Sequence, residues 1–182
     1  MVVDCDVTSI DHLLAGGRAD DAVGLATSIA YSGAGAGSIA LLPWLQEQLN
    51  ATLTWITSGA PLFRTAKPAT PPQHLVSYFV LVDPAQEKLL LVEHKNAGLW
   101  LPGGGHIEPD EHPQATVRRE LHEELGIAAD FLFDEPLFLT VTKTVGATAG
   151  HTDVTFWYVL RGDSTQVLHF DDNEFHTIRC FA

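Results

Sequence analysis

Cysteine is scarce in this chain of 182 residues, which contains only Cys5 and Cys180. Two cysteines near opposite ends of the sequence exclude the disulfide framework that stabilises many small secreted domains. They also lack the paired spacing of a cysteine-based zinc site. We therefore expect a reducing, cytoplasmic environment for this protein.

Basic residues are also few, because 10 lysines and arginines stand against 23 aspartates and glutamates and give a formal net charge of −13. A surface of this charge repels nucleic acid polymers and anionic membranes. It would also repel a small polyphosphate unless cations intervene. We therefore expect neither a nucleic acid nor a membrane as a partner.

Long hydrophobic runs are missing, since no stretch approaches the ~20 apolar residues that a membrane-spanning helix needs. The first residues, MVVDCDVTSIDH, include acids and no basic cluster, which is not the pattern of a secretory signal peptide. Hydrophobic residues nevertheless make up 46% of the chain. This content predicts a packed core.

The composition divides the chain into three segments. Apolar residues at helical spacing, among them Leu45, Leu49 and Ile56, predict a helical N-terminal appendage over residues 1–65. Residues 66–73, AKPATPPQ, contain three prolines and predict an extended linker. Residues 74–182 then form the main domain. The appendage can serve as a structural cap, or as a lid or dimer contact.

Strand patterns surround one strong helix pattern in the main domain. HLVSYFVLVD (74–83) and LLLVEH (89–94) predict a hairpin, and HTDVTFWYVLRG (151–162) predicts a further strand because apolar and polar residues alternate. Pro113 suits a first helical turn, and Gly126 ends the helix after Leu125. Strands interrupted by one helix predict an α/β fold with a mixed sheet.

This helix concentrates acids on one side. Val117, Leu121 and Leu125 recur every four residues and form an apolar stripe that should face the core. Like charges on the neighbouring stripe destabilise a bare helix by a few tenths of a kcal/mol per pair, and bound divalent cations would reverse that effect. Oxygen ligands of this kind suit Mg²⁺ or Mn²⁺ rather than zinc. The acids on that stripe are Glu120, Glu123 and Glu124.

Three consecutive glycines, at positions 103–105, precede the helix. They let the backbone approach a ligand closely, and a free carbonyl oxygen there can join the ligands of a metal. Arg119 is expected to point away from Glu120, and its planar guanidinium can hold Glu111 in place.

The spacing of these residues resembles the Nudix box with every specified position filled. Gly105 is followed by Glu111, then by Arg119-Glu120-Leu121, Glu123-Glu124 and Gly126-Ile127. The flanking strands extend the resemblance to about residues 74–178. Similarity to this family implies an α/β/α sandwich around a mixed sheet. It also implies a hydrolase that uses Mg²⁺ or Mn²⁺ to cleave the diphosphate linkage of a nucleoside diphosphate joined to another moiety.

The resemblance further implies roles for individual residues. Arg119 would orient the helix glutamates with Glu111 as its partner, and both belong with these glutamates to the catalytic group. Glu120, or an acid from a distant loop, would act as or orient the general base. The implied metal ligands are Gly104, through its carbonyl oxygen, and Glu120, Glu123 and Glu124.

Several residues outside the glutamate cluster leave alternatives open. Glu174 is our choice for an additional metal-binding carboxylate, against a solvated acidic turn, and Asp153 is the runner-up. His106 can contact a phosphate or merely cap its loop, and Trp100 can stack on a base or belong to the core. The expected substrate-binding residues are Gly103, Gly105, His106 and Trp100.

Two other functions share this fold. A Nudix-fold sensor would bind a nucleotide without cutting it. An isomerase of isoprenoid diphosphates would need a reactive cysteine near the site, which the positions of Cys5 and Cys180 disfavour. The sequence does not identify the particular nucleoside diphosphate derivative. Nudix domains usually continue into one more helix beyond Ala182, and an uncovered sheet face would favour a homodimer.

Overall fold

The computed structural model describes residues 43–67, 69–145 and 150–182. The helical segments predicted before residue 43, together with Cys5, lie outside these residues. No helix in the described part of the chain is long and apolar enough to cross a membrane. The elements of that part, in order, are α1 (Pro43–Thr57), β1 (Gln73–Asp83), β2 (Lys88–His94), β3 (Leu99–Leu101), β4 (Gly103–His106), α2 (Pro113–Leu125), β5 (Phe138–Lys143), β6 (Thr152–Arg161) and β7 (Phe175–Phe181).

Strand β1 lies at the centre of a mixed sheet of seven strands in the described residues. On one side it pairs in parallel with β6 over residues 73–82. On the other side it has two antiparallel partners, β2 beside residues 81–83 and β4 beside residues 76–79. Strand β5 extends the sheet beyond β6, and β3 and β7 pair with β2. The predicted hairpin, the predicted strand at 151–162 and the α/β fold with a mixed sheet are confirmed.

Helix α1 packs on β5, the strand at the edge of the sheet beyond β6. Its buried residues recur at helical intervals, and Leu49 belongs to the same hydrophobic cluster as Leu139 of β5. The side-chain oxygen of Gln48 accepts a hydrogen bond from the backbone nitrogen of Val141 at 2.6 Å. Gly59, with a φ of 75°, follows the last turn of the helix. The predicted helical spacing is confirmed, and this helix shares one core with the sheet.

The proline-rich segment between α1 and β1 makes its own backbone hydrogen bonds. The nitrogen of Ala66 donates to the oxygen of Thr70 at 3.2 Å, and the nitrogen of Thr70 donates to the oxygen of Ala66 at 3.0 Å. Further along, the nitrogen of Leu75 in β1 donates to the oxygen of Leu62 at 2.8 Å. The segment is therefore folded back over part of its length, because these hydrogen bonds satisfy its backbone, and it is attached to the first strand.

Candidate active site

Helix α2 holds its acids in a fixed orientation because both of its ends are defined. His112 precedes the helix in an extended conformation, and its Nδ1 accepts the backbone N–H of Gln114 at 3.2 Å. Pro113 occupies the first turn, and Gly126 ends the helix in the left-handed conformation with a φ of 69°. One face is fixed in the core by three residues that are at most 1% exposed, Val117, Leu121 and Leu125.

Arg119 connects the acids of the site. Its Nε and Nη2 donate to the two carboxylate oxygens of Glu111, each at 2.9 Å. Its Nη1 donates to Glu120 at 2.7 Å and lies 3.4 Å from Oε2 of Glu123. Its Nη2 also donates to the backbone oxygen of His106 at 3.1 Å. The structure thus contains the expected contact with Glu111. Arg119 does not point away from Glu120, because its long side chain lets one guanidinium bridge three carboxylates.

Glu111 is held by further hydrogen bonds. The hydroxyl of Thr116 donates to its Oε2 at 2.8 Å, and the backbone nitrogen of Glu108 donates to the same oxygen at 3.2 Å. Partial burial acts to raise the pKa of Glu111, but the hydrogen bonds from Arg119, Thr116 and the backbone together lower it. Glu111 is therefore a stable anion that anchors the guanidinium of Arg119.

Glu124 is the most enclosed of the three helix glutamates and is only 4% exposed. The backbone nitrogen of Gly104 donates to its Oε1 at 3.2 Å, whereas its Oε2 is buried without a hydrogen-bond partner. Burial raises the pKa of Glu124 to about 9, and the charges of Glu120, Glu174 and Glu123 add to this effect. A bound cation would give Oε2 of Glu124 a partner, and its positive charge would lower the pKa of this carboxyl again.

The glycines of β4 make room for these acids. A Cβ atom on Gly103 would lie 2.4 Å from Oε2 of Glu124, and one on Gly105 would lie 2.1 Å from Oε1 of Glu120. Gly104 has a φ of 136°, a conformation that residues with side chains rarely adopt. Glu124 and Glu120 therefore lie side by side along β4, and a side chain at either flanking glycine would displace them.

Glu120 and Glu123 differ in their surroundings. The side chain of Glu120 is 15% exposed, whereas that of Glu123 is 59% exposed. Burial raises the pKa of Glu120, Arg119 opposes this shift, and the charge of Glu123 supports it. A raised pKa brings a carboxylate closer to the working pH of a general base. Arg119 bridges Glu120 and Glu123 in this structure, so a cation bound between them would compete with that bridge.

The loop before β7 brings Glu174 near the helix acids. The backbone nitrogen of Asp171 donates to the backbone oxygen of Glu124 at 3.0 Å, which attaches the loop to α2. The charge of Glu174 contributes to the raised pKa of both Glu120 and Glu124. Its carboxylate is 44% exposed and lies 3.4 Å from Nε2 of His94. Glu174 therefore acts on the helix acids electrostatically while its carboxylate contacts the ring of His94.

Trp100 and Cys180 belong to strands β3 and β7 of the sheet. Trp100, on β3, is 36% exposed and packs edge-on against Phe181, with ring centroids 5.2 Å apart. Cys180, on β7, pairs with Leu90 of β2 and is partly buried. The indole of Trp100 thus keeps an exposed surface, and no contact joins Cys180 to the helix acids in the described residues.

His106 belongs to a second cluster that the sequence did not reveal. Successive strand residues point to opposite sides, so its ring lies on the face of the sheet opposite to the side of Gly105. Burial lowers the pKa of His106 to about 3, and the charge of Arg64 contributes, so the ring is neutral. The cluster consists of His74, His106, His151 and Asp153. Its members come from three separate parts of the chain, so no local sequence motif predicts it.

A mixed sheet, an acid-rich helix and a glycine strand packed against its carboxylates define an α/β domain with an acidic site suited to divalent cations. Residues 73–182 match the family model described as the NUDIX domain. The chain belongs to the NUDIX family. The resemblance seen in the box residues is therefore confirmed.

Two curated relatives match shorter segments. A MutT-like protein of Streptomyces ambofaciens is 38% identical over 61 residues, which cover 34% of this chain and 40% of that protein. The CTP pyrophosphohydrolase of Escherichia coli (strain K12) is 48% identical over 46 residues, which cover 23% of this chain and 34% of that protein. The chain thus spans less than half the length of these relatives in the matched regions.

A solved structure, that of a NUDIX-family hydrolase from Clostridium perfringens, resembles this chain with a TM-score of 0.51 and 23% sequence identity. The superposition covers 60% of this chain and 81% of that chain. At this identity the likeness shows a common fold.

Proposed function

We propose that this protein is a metal-dependent hydrolase that cleaves a diphosphate linkage in a nucleoside diphosphate joined to another moiety. The observation that carries the proposal is the position of Glu120 and Glu124, which lie directly against the glycine backbone of β4. Membership of the NUDIX family and the likeness to a CTP pyrophosphohydrolase support it.

The acidic site fits Mg²⁺ or Mn²⁺. Its donors are carboxylate oxygens, which these hard cations prefer, and Oε2 of Glu124 is buried without a hydrogen-bond partner. When bound, the cation would neutralise the diphosphate and activate the attacking water. The proposed ligands are the carboxylates of Glu120, Glu123, Glu124 and Glu174 and the backbone oxygen of Gly104.

Glu120 is the proposed general base. Its carboxylate is largely buried, which raises its pKa, and it lies at the glycine backbone where a substrate phosphate can approach. Arg119 holds it at 2.7 Å, and Glu111 in turn fixes Arg119 through two hydrogen bonds. Arg119 and Glu111 thus position the base.

The proposed substrate is a small nucleoside diphosphate derivative. With a net charge of −13, the protein would repel a free diphosphate, so the substrate would bind as its metal complex. Gly103 and Gly105 provide backbone without side chains beside the acids, and the exposed indole of Trp100 provides a surface on which a base can stack.

A substrate screen tests this proposal. The full chain would be incubated with nucleoside triphosphates, nucleoside diphosphate sugars and dinucleoside polyphosphates, with Mg²⁺, with Mn²⁺ or with a chelator, and products identified by mass spectrometry. We expect metal-dependent cleavage of at least one class, and a loss of roughly 10²-fold or more in kcat for Glu123→Gln.

Glu47→Gln on the exposed side of α1 is the matched control and should cleave at the wild-type rate. Tight binding of a nucleotide without turnover under every metal condition would contradict the hydrolase and identify a binding module.

A further inference from the structure

Three histidines and one aspartate gather on the face of the sheet opposite to α2. His74, the second residue of β1, lies opposite Asp153 of β6 in the parallel register, and His106 ends β4 beside the same part of β1. One potential ligand atom from each of the four residues lies within 4.8 Å of the others. His151 and Asp153 are 6% and 8% exposed, and His74 is fully buried.

The hydrogen bond on the far side of the His74 ring defines its tautomer. Its Nδ1 lies 2.9 Å from the backbone oxygen of Pro71, which can only accept, so Nδ1 carries the proton. In the neutral ring, Nε2 then presents a lone pair toward Oδ1 of Asp153 at 3.4 Å. Neither Nε2 of His74 nor Oδ1 of Asp153 has a hydrogen-bond partner.

His151 is oriented in the same way. The hydroxyl oxygen of Thr144 lies 3.1 Å from the backbone oxygen of His151 and 3.2 Å from Nδ1 of its ring. With the hydroxyl proton directed at the backbone oxygen, the Thr144 oxygen accepts from Nδ1. This leaves the lone pair of Nε2 directed at Oδ1 of Asp153 at 3.3 Å. Three acceptor atoms therefore meet in a buried space, which is unfavourable unless a cation or protons lie between them.

We propose that His74, His106, His151 and Asp153 bind one Zn²⁺ ion. Zinc bonds of about 2.0–2.1 Å to imidazole nitrogen and carboxylate oxygen place tetrahedral ligand atoms about 3.3 Å apart. The separations of Nε2 of His74 and Nε2 of His151 from Oδ1 of Asp153, 3.4 and 3.3 Å, match this edge. The four atoms all lie within 4.8 Å of one another, so the remaining ligands would close in slightly around the ion. Hydrogen bonds from Nδ1 to a carbonyl and to a hydroxyl are the outer contacts that orient zinc-binding histidines.

The donor set separates this site from the acidic one. Three imidazole nitrogens favour zinc, whereas Mg²⁺ and Mn²⁺ prefer all-oxygen sites such as the carboxylates of α2. Four protein ligands fill a tetrahedral zinc, which is the composition of a structural rather than a catalytic site. The ion would link the start of β1 and the end of β4 to the start of β6. It would thereby also fix the backbone oxygen of His106, which accepts a hydrogen bond from Arg119.

Zinc titration of the full chain tests the proposal. After treatment with a chelator, the protein would be titrated with Zn²⁺ by calorimetry and with Co²⁺ by visible absorption. We expect one equivalent per chain, the intense visible bands of tetrahedral Co²⁺, and a melting temperature that rises with Zn²⁺ and falls with chelator. Because these measurements use the wild-type chain, they do not depend on the folding of any variant.

Variants locate the ion. His74→Gln and Asp153→Asn should each weaken Zn²⁺ binding by more than about 100-fold, since losing a ligand costs more than losing an outer contact. His176→Gln, at an exposed position of β7, and Glu124→Gln in the acidic site should keep wild-type Zn²⁺ affinity. A wild-type chain that takes up no Zn²⁺, or one whose Zn²⁺ affinity is unchanged by His74→Gln, would overturn the proposal and leave shared protons as the explanation of the cluster.

Discussion

At the scale of single residues, the site depends on one guanidinium with several partners. Arg119 contacts three carboxylates and a backbone oxygen of β4. These contacts fix the orientation of α2 relative to β4. Lysine keeps the charge but lacks the fork that bonds both oxygens of Glu111.

We therefore expect Arg119→Lys to lower kcat or metal affinity by about 10–100-fold while the chain remains folded. Steady-state kinetics at several Mg²⁺ concentrations, together with a melting curve, would measure both effects. Arg118→Lys is the matched control because Arg118 is exposed and stacks on Phe131, 4.6 Å from its ring centre. Equal effects of the two substitutions would show that Arg119 has no special positioning role.

Glu124 should make the stability of the metal-free protein depend on pH. Glu124 ionises near its ordinary pKa of 4.5 when unfolded, and burial raises this pKa to about 9 in the metal-free fold. Between these values the folded state retains a proton that the unfolded state has lost, so stability decreases as pH rises through this window. Metal-free Glu124→Gln cannot ionise there and should lose less stability than the wild type.

Denaturant unfolding of both metal-free proteins at several pH values across this window would measure the difference. Saturating Mg²⁺ should flatten the wild-type profile because it favours the ionised carboxylate. Superimposable profiles of wild type and Glu124→Gln without metal would contradict the assigned environment of Glu124.

Residue contacts within one helix could be predicted, and contacts across the sheet could not. Glu111 and Arg119 lie eight positions apart around one helix start, so their contact follows from local geometry. His74 and Asp153 are neighbours only because β1 and β6 pair in one particular parallel register. Nothing in the spacing of these residues fixes that register, and Asp153 was therefore considered only as an extra acid of the other site.

At the scale of elements, local signals placed α2 correctly. Pro113, the apolar stripe and Gly126 gave its bounds, and the structure has the helix at Pro113–Leu125. The glycine run has no strand pattern of its own, and it forms β4 because β1 supplies hydrogen-bonding partners at residues 76–79. Strand β7 had no clear pattern of its own. Its pairing with the distant β2 defines it.

The element-scale prediction concerns α1. Leu49 is fully buried in the cluster that contains Leu139 of β5, so the helix supports the sheet directly. Leu49→Ala should reduce the free energy of unfolding of the whole domain by about 2–5 kcal/mol. Glu47→Ala, at an exposed position, should change it by less than ~0.5 kcal/mol. Chemical denaturation monitored by tryptophan fluorescence would measure the free energy of unfolding of each variant. An unfolding transition of the domain that is unaltered in Leu49→Ala would mean that α1 is a detachable appendage.

At the scale of the whole molecule, the sheet separates the two metal sites that we propose. The net charge of −13 opposes the binding of a free diphosphate, and we propose that the substrate binds as its metal complex. The oxygen-rich site lies on the α2 side of the sheet, and the nitrogen-rich cluster lies on the other side. We propose that residues 74–182 form the hydrolase domain and that residues 1–65, joined through 66–73, contribute α1 to its core.

We propose that the carboxylates of α2 and the backbone oxygen of Gly104 hold a divalent cation. Anomalous scattering from a crystal of the full chain soaked in Mn²⁺ would test it most directly. We expect a manganese peak between Glu120, Glu124 and the backbone oxygen of Gly104, and its loss in Glu124→Gln. A manganese peak confined to the histidine cluster, or none near the acids at saturating Mn²⁺, would contradict it.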